Sequence, residues 1–176
     1  NGVGLEDFMS DALSQSAASV IDCAQGLELL PYEGHEEHDH RAGEEEGEHY
    51  DPHIWMAPGN AERMLQTIAE ALAVVDPSHL DPYRSNSGTA VKEIQSGIQP
   101  DGDALAALPG LITFHDGFQY FAQAFGLELL KAIEEEEGSE ASAAEIREIV
   151  SLVEEHHIPA IFTEKNGSDA TARAIA

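Results

Sequence analysis

Short apolar runs alternate along this chain with longer stretches whose apolar residues recur every three or four positions, and that alternation narrows the fold more than any other feature. Leu111-Ile112-Thr113-Phe114 has the length and composition of a buried strand, and Phe118, Phe121, Ala122 and Phe125 behind it predict a helix ending at Gly126. Leu5, Phe8, Met9, Ala12 and Leu13 predict an earlier helix, followed by a short strand at Val20-Ile21. Pro58 and Asn60 open a helix whose stripe of Ala61, Met64, Leu65, Ile68, Ala69 and Leu72 runs until Asp76-Pro77 stops it. A further helical stretch is expected over 90–98, with a break at Pro100 and Gly102, because proline lacks the N–H and clashes with the preceding turn. Ser142 and Glu145 form a candidate capping box for a helix through Ile146, Ile149, Val150 and Val153 that closes at His156-His157. Pro159-Ala160-Ile161-Phe162 reads as another strand. Strands separated by helices predict α/β architecture with a mostly parallel sheet, in which ligands collect beyond the carboxyl ends of the strands. His115 and Glu164 both fall at such ends.

Charge narrows the partners. Eight Lys and Arg against 34 Asp and Glu give a formal charge of -26, which repels phosphate backbones and anionic membranes and favours cations. Nucleic acid is excluded as a partner, although acidity alone also serves solubility. No apolar run approaches the roughly 18 residues of a membrane span. Cys23 is the single cysteine, so neither an intrachain disulfide nor a thiolate zinc cluster can form, and metal binding must use imidazole and carboxylate. Asn1-Gly2-Val3-Gly4 has neither the basic start nor the apolar run of a signal peptide, so an export signal is expected to have been removed or to lie outside these residues.

Three groups of residues carry chemistry. In Asp51-Pro52-His53-Ile54-Trp55 a histidine is held between a rigid proline and two bulky apolar residues directly before a helix. A neutral imidazole so placed suits zinc, and Asp51 could orient the ring from behind; a histidine bonded to backbone is the competing reading. His115 has the same two readings, ligand at a strand end or satisfied core histidine, with Asp116 as its neighbouring carboxylate. Between 32 and 51 the chain turns to Glu, His and Gly without apolar periodicity and is expected to be a mobile loop. Its His35, His38, His40 and His49 could gather metal at modest affinity and with poor discrimination, or be incidental to a solvated acidic loop. Glu164 is a candidate for supporting a ligand, or simply caps its loop. His35-Glu36-Glu37-His38 lacks the His-Glu-x-x-His spacing, and no nucleophile elbow, Walker loop or dinucleotide fingerprint occurs, so an enzyme is not indicated.

The stretches NGVGLEDF, SVIDCAQGLELLP, YDPHIWMAPGNAERM, FHDGFQYFAQAFGL and IPAIFTEKNGS, in that order around a His/Glu-rich loop, resemble the zinc- and manganese-binding solute receptors of ABC importers, the TroA-like family. The resemblance runs over nearly the whole chain. It implies a two-lobed periplasmic-binding-protein-like fold with a helical backbone, present in part, since the chain is expected to be truncated at both ends relative to the family. On that reading 1–77 is the later part of an N-terminal α/β lobe, including the acidic loop 32–51; 78–108 is a helical connector; and 109–176 is an incomplete C-terminal lobe. The resemblance also implies that His53 and His115 are two of the metal ligands, one from each lobe. The histidine-rich insertion and histidine at position 115 imply zinc over manganese, in keeping with the preference of imidazole for zinc.

The expected function is high-affinity zinc capture outside the cytoplasm, by a periplasmic or lipid-anchored subunit that delivers the ion to an ABC permease. Self-association of the shortened chain is a further expectation. The alternatives are a histidine-rich metal buffer or adhesin-like surface protein working through residues 35–49, and, less favoured, a zinc-dependent hydrolase. Acidification through about pH 6.5 is expected to release the ion, because imidazole must be neutral to coordinate.

Overall fold

The computed structural model describes residues 2–32, 49–98, 102–105, 107–134, 141–161 and 170–175. Among these, the residues up to Ile98 form one compact unit and those from Gly102 onward form another.

The first unit is built from helices and turns. The predicted opening helix forms as a 3-10 turn at Asp7–Met9 followed by α1 at Ser10–Ser14. Val20-Ile21 is not a strand: it has no ladder partner among the described residues, and Val20 is exposed. Two apolar residues are too short a run to hold an extended conformation without a neighbouring strand. The chain instead turns just after it, where the Ala24 N–H donates to Asp22 Oδ1 at 2.8 Å and the Leu27 N–H to the Ala24 carbonyl at 3.0 Å. Pro58 at the first position, where no N–H is needed, starts α2 at Pro58–Val75 as predicted. Its stripe is only partly covered: Ala69 is buried, but Ile68 and Leu72 remain exposed.

After a 3-10 turn at Pro77–His79, α3 spans Leu80–Ile98, ten residues longer at its start than the expected 90–98. Pro82 lies in the first turn, where it is tolerated, and the run Ser85-Asn86-Ser87-Gly88 has weak helix propensity, so nothing local announces this half. Packing against α2 supplies what propensity does not. Gln95, late in α3, donates to Glu62, early in α2, at 3.1 Å, which fixes the two as an antiparallel pair. Asp76 sits at their corner, accepting from Ser78, from His79 Nδ1 at 2.6 Å and from the Tyr83 hydroxyl at 3.3 Å.

The second unit is α/β, as the alternation predicts. Of the two residues expected to break the helix, Gly102 opens a short helix, α4, at Gly102–Leu105, and Pro100 lies outside the described residues. β1 at Leu111–His115 runs parallel to β2 at Leu129–Glu134, with α5 at Gln119–Phe125 between them in sequence. Gly126 adopts φ 65° to end α5, a conformation glycine takes without strain. β2 is absent from the sequence reading, because Lys131 and the flanking acids interrupt the continuous apolar signature of a buried parallel strand. The pair registers Ile112 on Lys131, Thr113 on Ala132 and His115 on Glu134. Ile112, Phe114 and Ile133 join Ile149 of α6 (Ala143–His156) and Ile158 in one core.

The capping box of α6 forms as expected: the Glu145 N–H donates to Ser142 Oγ at 3.3 Å, and the Ser142 N–H to Glu145 Oε2 at 2.6 Å. His157 closes the helix in the left-handed conformation. Pro159–Ile161 has no strand pairing among the described residues, against expectation, and Phe162 lies outside them. The last element, α7 at Ala170–Ile175, packs on α6.

Candidate metal centre

Asp51 is fully buried, and its position is set from both sides of the backbone. Its N–H donates to the Leu30 carbonyl at 2.9 Å, and the Tyr32 N–H donates to the His49 carbonyl at 2.9 Å. Together with the bridge between Pro31 and Tyr50, these bonds form a short antiparallel neck at the base of the histidine-rich segment. His35, His38 and His40 lie outside the described residues; His49 belongs to the neck.

From this anchored position the Asp51 carboxylate reaches forward over Pro52. Its Oδ1 accepts from the His53 N–H at 2.9 Å and is 2.6 Å from His53 Nδ1. A buried carboxyl against Nδ1 is the arrangement by which proteins orient histidine ligands to zinc. Asp51 is thus a buried carboxyl set against the His53 ring. Its other oxygen, Oδ2, is buried with no hydrogen-bond partner among the described residues. Following His53, the 3-10 turn Ile54–Met56 puts Ile54 inside and leaves Trp55 half-exposed.

His115 occupies the last position of β1, at the carboxyl end of the parallel pair, partly exposed at the edge of an otherwise buried strand. The strand end is locked from within: the Thr113 hydroxyl donates to the His115 carbonyl at 3.0 Å and the Gly117 N–H to the same carbonyl at 3.2 Å. Asp116 is buried directly behind it. Glu134, registered beside His115 on β2, is a position that sequence reasoning did not single out, because finding it requires β2. Glu164 lies outside the described residues.

Among the described residues, no group of three or more His, Cys, Asp and Glu side chains is arranged to hold an ion. Two histidines, His53 in the first unit and His115 in the second, each have a buried aspartate close by in sequence. A shallow groove of about 200 Å³ between α2 and α3, lined by Gln66, Glu70, Arg84 and Val91 among others, contains neither histidine. Among the described residues no helix is long and apolar enough to cross a membrane.

The family profile described as zinc-uptake complex component A, periplasmic, matches residues 1–176. A provisionally named metal-binding protein of Treponema pallidum (strain Nichols) is 30% identical over 183 residues, an overlap that takes in 100% of this chain and 58% of that protein. The high-affinity zinc uptake system protein ZnuA of Paracoccus denitrificans (strain Pd 1222) is 33% identical over 127 residues, covering 71% of this chain and 39% of the relative. A crystal structure of ZnuA superposes with a TM-score of 0.79 at 30% identity, over 99% of this chain and 64% of that one. This chain thus spans less than two thirds of the length of each of these relatives.

Proposed function

We infer that this chain, which belongs to the family of the periplasmic component A of zinc-uptake complexes, captures zinc outside the cytoplasm through His53 and His115 and passes it to an ABC-type permease. The family is one of transport rather than catalysis, and the role is binding and release without chemical turnover. Its place is the periplasm or, through a lipid anchor, the outer face of the membrane. Manganese is the less favoured cargo, since two imidazoles suit zinc better than a carboxylate-rich set would. His53 and His115 contribute two nitrogens; water, a loop histidine or residues from elsewhere in the assembled protein, including a second copy of the chain, complete a four-coordinate ion.

The observation that carries this reading is the buried Asp51 carboxylate on His53 Nδ1 at 2.6 Å. A histidine serving only as packing has no need of a carboxyl partner taken fully out of water, where a polar group costs free energy unless it is hydrogen-bonded. The position of His115 at the carboxyl end of β1 supports the second ligand, because parallel sheets place their ligands there.

Zinc calorimetry on three proteins tests the reading: the wild type, the double variant His53→Ala/His115→Ala, and a chain in which residues 35–48 are replaced by a short Gly-Ser link that keeps the bond between Tyr32 and His49. The double variant is expected to lose the tight binding event and the linked chain to retain it. The reverse result would make the histidine-rich segment the working part and the protein a metal buffer.

A further inference from the structure

Thr113 interrupts the apolar run Leu111-Ile112-Thr113-Phe114 of β1 at a position only 1% exposed. Buried parallel strands are built mostly from Val, Ile and Leu, and valine has the shape of threonine without the hydroxyl. A hydroxyl taken out of water costs free energy unless it is bonded. This one donates to the His115 carbonyl at 3.0 Å. A straight strand advances roughly 3.3 Å per residue, which would carry that carbonyl about 6.6 Å along the chain from Thr113. The bond forms because the chain bends at Asp116, where the Gly117 N–H also reaches the His115 carbonyl, at 3.2 Å. One donor comes from inside the strand and the other from beyond the bend, and both act on the backbone of a residue proposed to meet the ion.

We propose that Thr113 is a positioning residue for His115: its buried hydroxyl holds the bent strand end in the backbone geometry from which the imidazole meets zinc, and so raises zinc affinity without touching the metal. This inference rests on His115 being a ligand. It concerns the backbone from which the ring departs, so it adds to the contacts that the ring itself makes and does not depend on their number. In Thr113→Val the Gly117 N–H still serves the carbonyl and the strand keeps its shape and pairing, but the bend loses one of its two restraints. The end then spends part of its time in other geometries, and the apparent affinity falls with the fraction that is competent to bind. Losing one neutral hydrogen bond shifts such a balance by about tenfold at most, so the variant is expected to weaken zinc binding several-fold and not beyond that ceiling.

The test compares Thr113→Val, Thr113→Ser and His115→Ala in the full chain by zinc calorimetry, thermal melting and hydrogen exchange of the Gly117 amide, which reports the bend through its own bond to the His115 carbonyl. The component of zinc binding lost in His115→Ala defines the event of interest. If none is lost, the ligand reading of His115 fails, and this inference with it. Otherwise Thr113→Val should weaken that component by more than twofold, at a melting temperature close to that of the wild type. In the metal-free variant the Gly117 amide should exchange faster than in the wild type, and saturating zinc should slow it again, because an ion that needs the held end must also hold it. Thr113→Ser keeps the hydroxyl and should recover both affinity and exchange rate, even though loss of a buried methyl lowers its melting temperature. An affinity within twofold of the wild type in Thr113→Val, a Gly117 exchange rate that zinc does not slow, or a loss that follows the melting temperature and that serine does not recover would overturn the positioning role while leaving His115 a ligand.

Discussion

Asp51, Pro52 and His53 are contiguous, and the whole of the carboxylate-imidazole pairing is made within three residues. That is why it can be read from sequence: proline restricts the chain between the two side chains, and little remains for tertiary structure to decide. Asp51→Asn tests what the charge does. The amide keeps the shape and the Oδ1 that faces both the His53 backbone N–H and Nδ1, but lacks the negative charge of the carboxylate. Zinc affinity is expected to fall roughly tenfold or more, in line with the loss of other carboxylate partners behind metal-bound histidines. Calorimetry with a circular-dichroism check of folding measures it; an unchanged affinity would mean that Asp51 serves the neck alone. Contacts that depend on a turn being formed were not legible in this way. The meeting of Trp55 with His53 needs the 3-10 turn, and the register of Glu134 beside His115 needs β2.

At the scale of elements, legibility followed local chemistry. Helix α6 was readable from Ser142, Glu145 and the apolar spacing behind them, and its box forms with both reciprocal bonds. Hydrogen bonding to Ser142 also holds the Glu145 carboxyl below its usual range. Ser142→Ala is expected to destabilise the second unit by about 1 kcal/mol in urea denaturation, the ordinary effect of losing such a cap. The first half of α3 and all of β2 were not readable, because weak propensity and interrupted apolar runs leave their existence to packing against α2 and against β1. Neither Val20-Ile21 nor the described part of the strand expected at Pro159–Phe162 pairs, each being an apolar run with no described neighbour to pair with.

The corner between α2 and α3 gives a pH prediction of definite sign. Asp76 is held below its ordinary value of 3.8, first by the Ser78 hydroxyl and then by His79. A carboxyl with a depressed folded-state pKa stabilises the fold fully above the unfolded value and loses that contribution as pH falls through the folded one. Asp76→Asn is therefore expected to melt at a lower temperature than the wild type at neutral pH, with the gap closing as the pH is taken below 3.8. A gap that stayed constant across that range would mean that the corner is held by shape rather than charge.

Over the whole molecule, what the sequence carried best was order: an acidic histidine segment, then Asp-Pro-His, then a long helical stretch, then a buried strand ending in His-Asp. That order identified the family before any coordinates, and the profile match over residues 1–176 agrees. Each histidine is placed by its own unit, one by a turn before α2 and one by the end of a parallel strand. The proposed function requires these two imidazoles, 62 positions apart in the chain, to close on a single ion. A crystal structure of the zinc-loaded chain with anomalous scattering at the zinc edge decides this. One zinc peak within about 2.1 Å of a ring nitrogen of both His53 and His115 is expected; zinc bound to either histidine without the other, or only to the histidines of residues 35–49, would contradict it.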